Sequence, residues 1–164
     1  MQKPDLNKYR SGAIAVLFDE SGKVFVAERS DSPGSWQLPQ GGVDPGEEPL
    51  DAVMRELFEE TGILAADLDL LCSSNFWTSY DWPAEFKERM LKRKPECVHL
   101  QGACHQWFFF RYTGNKDGID VTSAQDKEFT SSKWVAFPDA IQAVDPMRRD
   151  SYQEGFAYWV QQNA

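Results

Sequence analysis

The chain has 164 residues, 41% hydrophobic and 13% aromatic, and a formal charge of -9 at pH 7. That length supports one well-cored domain and is short for two, so residues 1–164 are read as a single globular unit. The acidic balance excludes a protein that grips long nucleic acid through its phosphates, because that affinity comes from clustered Lys and Arg.

Ala13–Phe18 and Lys23–Glu28 are apolar, β-prone runs separated by Asp19-Glu20-Ser21-Gly22, which has the composition of a hairpin turn. Asp31-Ser32-Pro33-Gly34 breaks the second strand, and Trp36-Gln37-Leu38-Pro39 leads into a loop holding Gly41, Gly42, Pro45 and Gly46. A helix follows. Pro49 suits its first turn, Leu50, Val53, Met54 and Leu57 form an apolar stripe, and Gly62 fits a left-handed cap. Leu68–Ser73 reads as a strand, the aromatic stretch Phe76–Trp82 as a pocket-lining loop or strand end, and Glu85–Lys94 as a short helix. Gln106–Tyr112 is the strongest buried strand and is expected to be central. Ser132–Phe137 reads as the last strand and Asp139–Val144 as a helical turn. Tyr152, Phe156, Trp159 and Val160 recur at the spacing of a closing amphipathic helix.

No apolar run is long enough to span a bilayer, and Met1-Gln2-Lys3-Pro4-Asp5 has no basic region followed by an apolar one. Cys72, Cys97 and Cys104 are odd in number and lack a C-x-x-C pair, which favours reduced thiols. The expectation is an intracellular protein, cytoplasmic first with an organelle left open, and no membrane partner.

Glu56, Glu59 and Glu60 stand at i, i+3 and i+4 on the first helix, so their carboxylates share one side. Unpaired, they would repel. Hard oxygen ligands suit Mg²⁺ or Mn²⁺, which keep several waters and bridge substrate phosphates. The alternative is a solvated acidic face braced by Arg55 and Glu59 at i, i+4.

The span from Gly41 to Ile63 resembles the box of the Nudix hydrolases, G-x5-E-x7-R-E-U-x-E-E-x-G-U with U aliphatic. Gly41, Glu47, Arg55, Glu56, Glu59, Glu60 and Gly62 meet its fixed positions, with Leu57 and Ile63 as aliphatics. The resemblance implies an α/β/α sandwich with a mixed β-sheet and a loop-helix-loop catalytic box over residues 41–63. It also implies cleavage by water of a phosphoanhydride in a nucleoside diphosphate derivative. By carry-over, the Gly41 carbonyl, Glu56, Glu59 and Glu60 are metal ligands, Arg55 orients the acidic cluster, and Glu47 holds the loop against the helix. Glu56 is the candidate general base.

A second layer of resemblance covers nearly the whole chain. Ser35-Trp36-Gln37-Leu38-Pro39-Gln40-Gly41-Gly42, Tyr9-Arg10, Tyr80-Asp81-Trp82-Pro83, Gln106-Trp107-Phe108, Glu128-Phe129 and Arg148-Arg149-Asp150-Ser151-Tyr152 are similar to two subgroups. These are bacterial RNA 5′-pyrophosphohydrolases and asymmetrical diadenosine tetraphosphate hydrolases. The likeness implies Glu128 as a further metal ligand. It implies substrate contacts from Arg10, Arg29, Gln37, Tyr80, His105, Arg148 and Tyr152, where arginine suits phosphate and a tyrosine ring can stack a base. The implied partner is a nucleotide polyphosphate, either a dinucleoside tetraphosphate or the 5′ end of an RNA; nothing in the sequence names a protein partner. Alternatives are another Nudix specificity, such as nucleoside diphosphate sugars or damaged nucleoside triphosphates, and a non-catalytic nucleotide-binding module.

Two stretches depart from those subgroups. Gly102-Ala103-Cys104-His105-Gln106-Trp107 replaces the usual G-Q-x-Q-K-W, and Ser11-Gly12 replaces the common Pro-Asn. Other features carry competing readings. Cys97, His99, Cys104 and His105 match no strong zinc spacing and read as packing. Trp77, Tyr80 and Trp82 serve either a purine or the core. Lys87–Lys94, basic in an acidic chain, is either a guide for a polyanion or a solvated face.

Overall fold

The computed structural model describes residues 4–164. One mixed sheet organises them, running β3 (Trp36–Gln37), β2 (Val24–Arg29), β1 (Tyr9–Phe18), β6 (Gly102–Tyr112) and β5 (Leu68–Asp81). Two further strands join it: β4 (Gln40–Gly42) pairs with β1 and β7 (Phe129–Val135) with β2. β1 and β6 run parallel in unbroken register from Tyr9 opposite Gly102 to Phe18 opposite Arg111, while the other pairings are antiparallel.

Both faces of this sheet are covered, and this explains why β1 and β6 are almost continuously apolar. Ala13, Ala15, Leu17, Phe108 and Phe110 point to one face, under Val53 and Leu57 of helix α1 (Pro49–Thr61). Ile14, Val16, Phe18, Trp107 and Phe109 point to the other. There they meet Ala140 of α3 (Phe137–Ala143) and Tyr152 and Phe156 of α4 (Arg149–Gln162). The layers are therefore α/β/α, as the resemblance implied. A smaller cluster beyond the sheet end joins Trp82, Met90, Cys97, Leu100 and Ala103, seating α2 (Ala84–Arg93).

Two boundaries and one packing expectation differ from the sequence reading. Leu68–Asp81 is one fourteen-residue strand, where a strand followed by a loop was expected. It stays paired to β6 because register shifts at Leu70/Cys72 and Ser73/Trp77 absorb the extra residues. The Ser74 hydroxyl fills the wider gap, accepting from the Trp107 amide at 2.9 Å and donating to the Phe76 carbonyl at 2.7 Å. β7 begins at Phe129, earlier than expected, because Phe129–Val135 pairs along β2. Val160 on α4 is 48% exposed, since the helix buries Tyr152 and Phe156 and turns its last apolar residue outward. Among the described residues, no helix is long and apolar enough to cross a membrane.

Candidate active site

β4 lies beside β1, with Gly41 opposite Ala13 and Gly42 opposite Gly12, so the glycine loop is pinned to the sheet before α1 starts. Pro49 occupies the first turn of α1, and Gly62 ends it in a left-handed conformation at φ 76°, its amide donating to the Phe58 carbonyl. Within this frame Arg55 ties helix to loop. Its guanidinium donates to Glu47 at 2.9 and 3.0 Å, to Glu56 at 2.9 Å, to Glu59 at 3.3 Å and to the Gly42 carbonyl at 3.0 Å. Glu47 also accepts from the Asp44 amide. The Arg55 hydrogen bonds and that amide hold the Glu47 carboxyl at about 2. The same contacts, led by Glu47, push Arg55 further above its ordinary range.

Glu56, Glu59 and Asp126 bring carboxylate oxygens within 4.8 Å of one another, among the described residues the one group of metal-capable side chains close enough to share an ion. Asp126 was not anticipated. Its amide donates to the Glu59 carbonyl at 2.8 Å, and the same loop is tied to β2 by the Ser30 amide on the Glu128 carbonyl at 2.9 Å. Glu60 is 1% exposed with one carboxyl oxygen unpartnered. Burial first, then Glu128 and Glu56, push its proton affinity well up. Burial also raises Glu56 and Glu128, against the opposing pull of Arg55 and Arg29. A crowded, partly dry set of hard oxygen donors is what a divalent cation would stabilise. Gly41 completes the fit, because only the missing Cβ leaves room for the Glu56 carboxyl against the backbone there. Cys97 and Cys104, read from the sequence as packing residues, are buried and form no disulfide among the described residues.

Glu56, Glu60, Asp126 and Glu128 line a cleft of about 680 Å³, and Glu59 stands outside its lining. Arg10, Arg29 and Arg148 line it too, and α2 supplies Phe86, Met90 and Arg93, with Lys94 just after its end, beside Trp82. The basic stretch thus faces the cleft through its C-terminal end. Tyr80 stacks on His105 with ring centroids 5.8 Å apart and an interplanar angle of 11°. Its hydroxyl accepts from Arg148 Nε at 3.1 Å. His105 is held down to about 3 by burial and by the charges of Arg148 and Arg10, so it is neutral at pH 7. The departures at Gly12 and His105 are one feature. A Cβ on Gly12 would fall 2.8 Å from the His105 ring, and the glycine leaves the space the imidazole fills.

Two expected substrate contacts lie elsewhere. Tyr152 is 1% exposed, packed edge-on against Trp107 and Phe156, and its hydroxyl accepts from the Leu38 amide at 2.9 Å. It is a core residue with no ring face towards the cleft. Gln37, also 1% exposed, sits behind the lining and accepts from Arg29 and Arg148. Trp77 is likewise outside the lining.

The NUDIX domain family profile matches residues 8–155, and the chain belongs to that family. It is 35% identical over 152 residues to the RNA pyrophosphohydrolase of Cereibacter sphaeroides, covering 92% of this chain and 90% of that one. It is 38% identical over 146 residues to the RNA pyrophosphohydrolase of Rhodospirillum rubrum, covering 89% and 84%. Over 148 residues it is 33% identical to chloroplastic Nudix hydrolase 26 of Arabidopsis thaliana, covering 89% and 67%. Among solved structures, the C. elegans Ap4A hydrolase binary complex superposes with a TM-score of 0.66 at 21% identity, covering 93% and 98%. The E. coli dihydroneopterin triphosphate pyrophosphohydrolase does so with a TM-score of 0.69 at 22% identity, covering 90% and 96%. The likeness to these two shows the shared fold.

Proposed function

We propose that this chain hydrolyses a phosphoanhydride at a nucleotide polyphosphate end, removing pyrophosphate from 5′-triphosphorylated RNA. One observation carries the reading: Glu56, held by Arg55, lines a cleft together with Glu60, Asp126 and Glu128 and with Arg10, Arg29 and Arg148. The names of the relatives from Cereibacter sphaeroides and Rhodospirillum rubrum support the RNA end as substrate. Tyr80, Trp82 and Phe86 favour a second reading, a dinucleoside tetraphosphate, because ring faces beside the polyphosphate path can stack a second base.

In this reading Glu56, Glu59 and Asp126, with Glu60, Glu128 and the Gly41 carbonyl beside them, would hold Mg²⁺ or Mn²⁺. The bound cation supplies neutralisation of phosphate charge and acidification of water. The chain's own residues do the rest. Arg55 fixes the Glu56 and Glu59 carboxylates and Glu47 braces Arg55, so the acidic wall keeps its shape as substrate arrives. Arg10, Arg29 and Arg148 take phosphate oxygens, for which the planar guanidinium is suited. Glu56 accepts the proton of the attacking water, its basicity raised by burial.

Product analysis in ¹⁸O-labelled water tests this, using triphosphorylated RNA, diadenosine tetraphosphate, nucleoside diphosphate sugars and nucleoside triphosphates. Label in released pyrophosphate or in the RNA 5′ monophosphate supports the RNA reading, and asymmetric cleavage of the tetraphosphate supports the second. Activity confined to sugars or free triphosphates overturns both. Nucleotide binding with no turnover in Mg²⁺ or Mn²⁺ identifies a non-catalytic module. Within the hydrolase reading, near-normal turnover of Glu56→Gln removes Glu56 as the base.

A further inference from the structure

Two guanidinium groups converge on one neutral oxygen behind the cleft wall. Gln37 Oε1 accepts from Arg29 Nη1 at 3.0 Å and from Arg148 Nη1. The orientation of the amide follows from chemistry, since a guanidinium only donates and an NH₂ group turned towards them would leave both arginines unmet. Arg29 has further compensation, from both Asp31 oxygens at 2.8 Å and from Glu128 at 3.7 Å. Arg148 has less: Glu128 feels its charge, but among the described residues no carboxylate forms an ion pair with it. It is 4% exposed and donates to the Tyr80 hydroxyl, with its guanidinium over the Tyr80 ring.

Stability alone would favour glutamate at 37. A carboxylate would pair with both arginines, and it would remove the Gln37 Nε2 donor, which is buried with no partner. Glutamine instead fixes the two cations without neutralising them. We infer that Gln37 is a positioning residue: it holds Arg29 and Arg148 as a preorganised pair for the anionic oxygens of the polyphosphate, and its neutrality keeps their charge available to substrate. This rests on the cleft being a polyphosphate site, and it deepens that reading by assigning part of the affinity to a residue that never touches substrate.

The probe is inorganic tripolyphosphate, titrated calorimetrically into the whole protein in EDTA, with Gln37→Glu beside the wild type. The expected result is a Kd raised about tenfold or more, the scale of one charge-assisted contact. KM for the nucleotide substrate rises in parallel, kcat changes less, and the melting temperature is equal or higher because Arg148 gains a carboxylate. A purely structural glutamine predicts the reverse: unchanged affinity, or a less stable variant. Either result overturns the inference, as does a wild type that fails to bind tripolyphosphate. Since the titration needs no metal and no turnover, its outcome is separable from the ¹⁸O assay.

Discussion

The carboxyl group of Glu56 lies where a side chain on Gly41 would begin: a Cβ built at 41 falls 2.0 Å from Glu56 Cδ. The glycine is required by this close approach of helix to loop, and its absent side chain sets where the carboxylate stands. Gly41→Ala is therefore expected to displace Glu56 and lower turnover by about 10²-fold, the scale of a misplacement near 1 Å. The core is untouched, so the melting temperature moves little. Adding Gly41→Ala to Glu56→Ala, where the clash no longer exists, should cost little more. Steady-state rates across this double-mutant cycle check the coupling, and additive losses would refute it.

Asp126 reaches the acidic wall from a loop between β6 and β7, held there by its own amide on the Glu59 carbonyl. If it shares the cation with Glu56 and Glu59, Asp126→Asn should weaken Mn²⁺ binding by about one order of magnitude, because affinity follows ligand charge. The change keeps the backbone bond, so melting without metal should match the wild type. Manganese titration followed by paramagnetic resonance reads the affinity. Equal binding by the variant would leave Asp126 a bystander.

What the sequence made legible was local. Glu56, Glu59 and Glu60 sit on one helix with Gly41 and Glu47 just before it, so spacing alone carried their grouping, and the nearly unbroken apolar runs of β1 and β6 marked them as buried strands. Asp126 was hidden because its place depends on a long-range backbone bond to Glu59 and not on any helical or strand period. Gly12 and His105 could be seen as two departures, but their contact depends on the parallel register of β1 and β6. Arg55 and Glu59 do pair, as the solvated-face alternative required, yet at 3.3 Å that contact is one of several converging on the guanidinium. Tyr152 was expected at the substrate through the likeness of Arg148–Tyr152 to the two subgroups, and only the packing of α4 shows its ring in the core.

Asp19, 2% exposed in the turn between β1 and β2, accepts from the Ser21 and Lys23 amides, the Ser21 hydroxyl and Lys116. Burial disfavours its charge, but these donors outweigh burial and hold it at about 2, below its ordinary 3.8. The folded state thus binds this proton less readily than the unfolded one. Its contribution to stability is complete above about pH 4 and is lost as the pH falls towards 2. Asp19→Asn should flatten the acid limb of melting temperature against pH and lower stability at neutral pH by about 1–3 kcal/mol. An unchanged acid limb would show that other carboxylates govern it.

Tyr152 offers the sharpest separation of core from substrate contact. Its hydroxyl is the partner of the buried Leu38 amide, one residue from Gln37 and two before Gln40, where β4 begins. Tyr152→Phe keeps the ring packing against Trp107 and Phe156 and removes that acceptor, leaving the amide unsatisfied at a cost of about 1–3 kcal/mol. Denaturant unfolding should show this as a lower midpoint with unchanged slope. Assayed well below its melting temperature, the variant should retain KM within about threefold, because no charge-assisted contact to substrate is lost. A large rise in KM with stability intact would instead return Tyr152 to the cleft, and with it the stacking role that the neighbouring arginines imply.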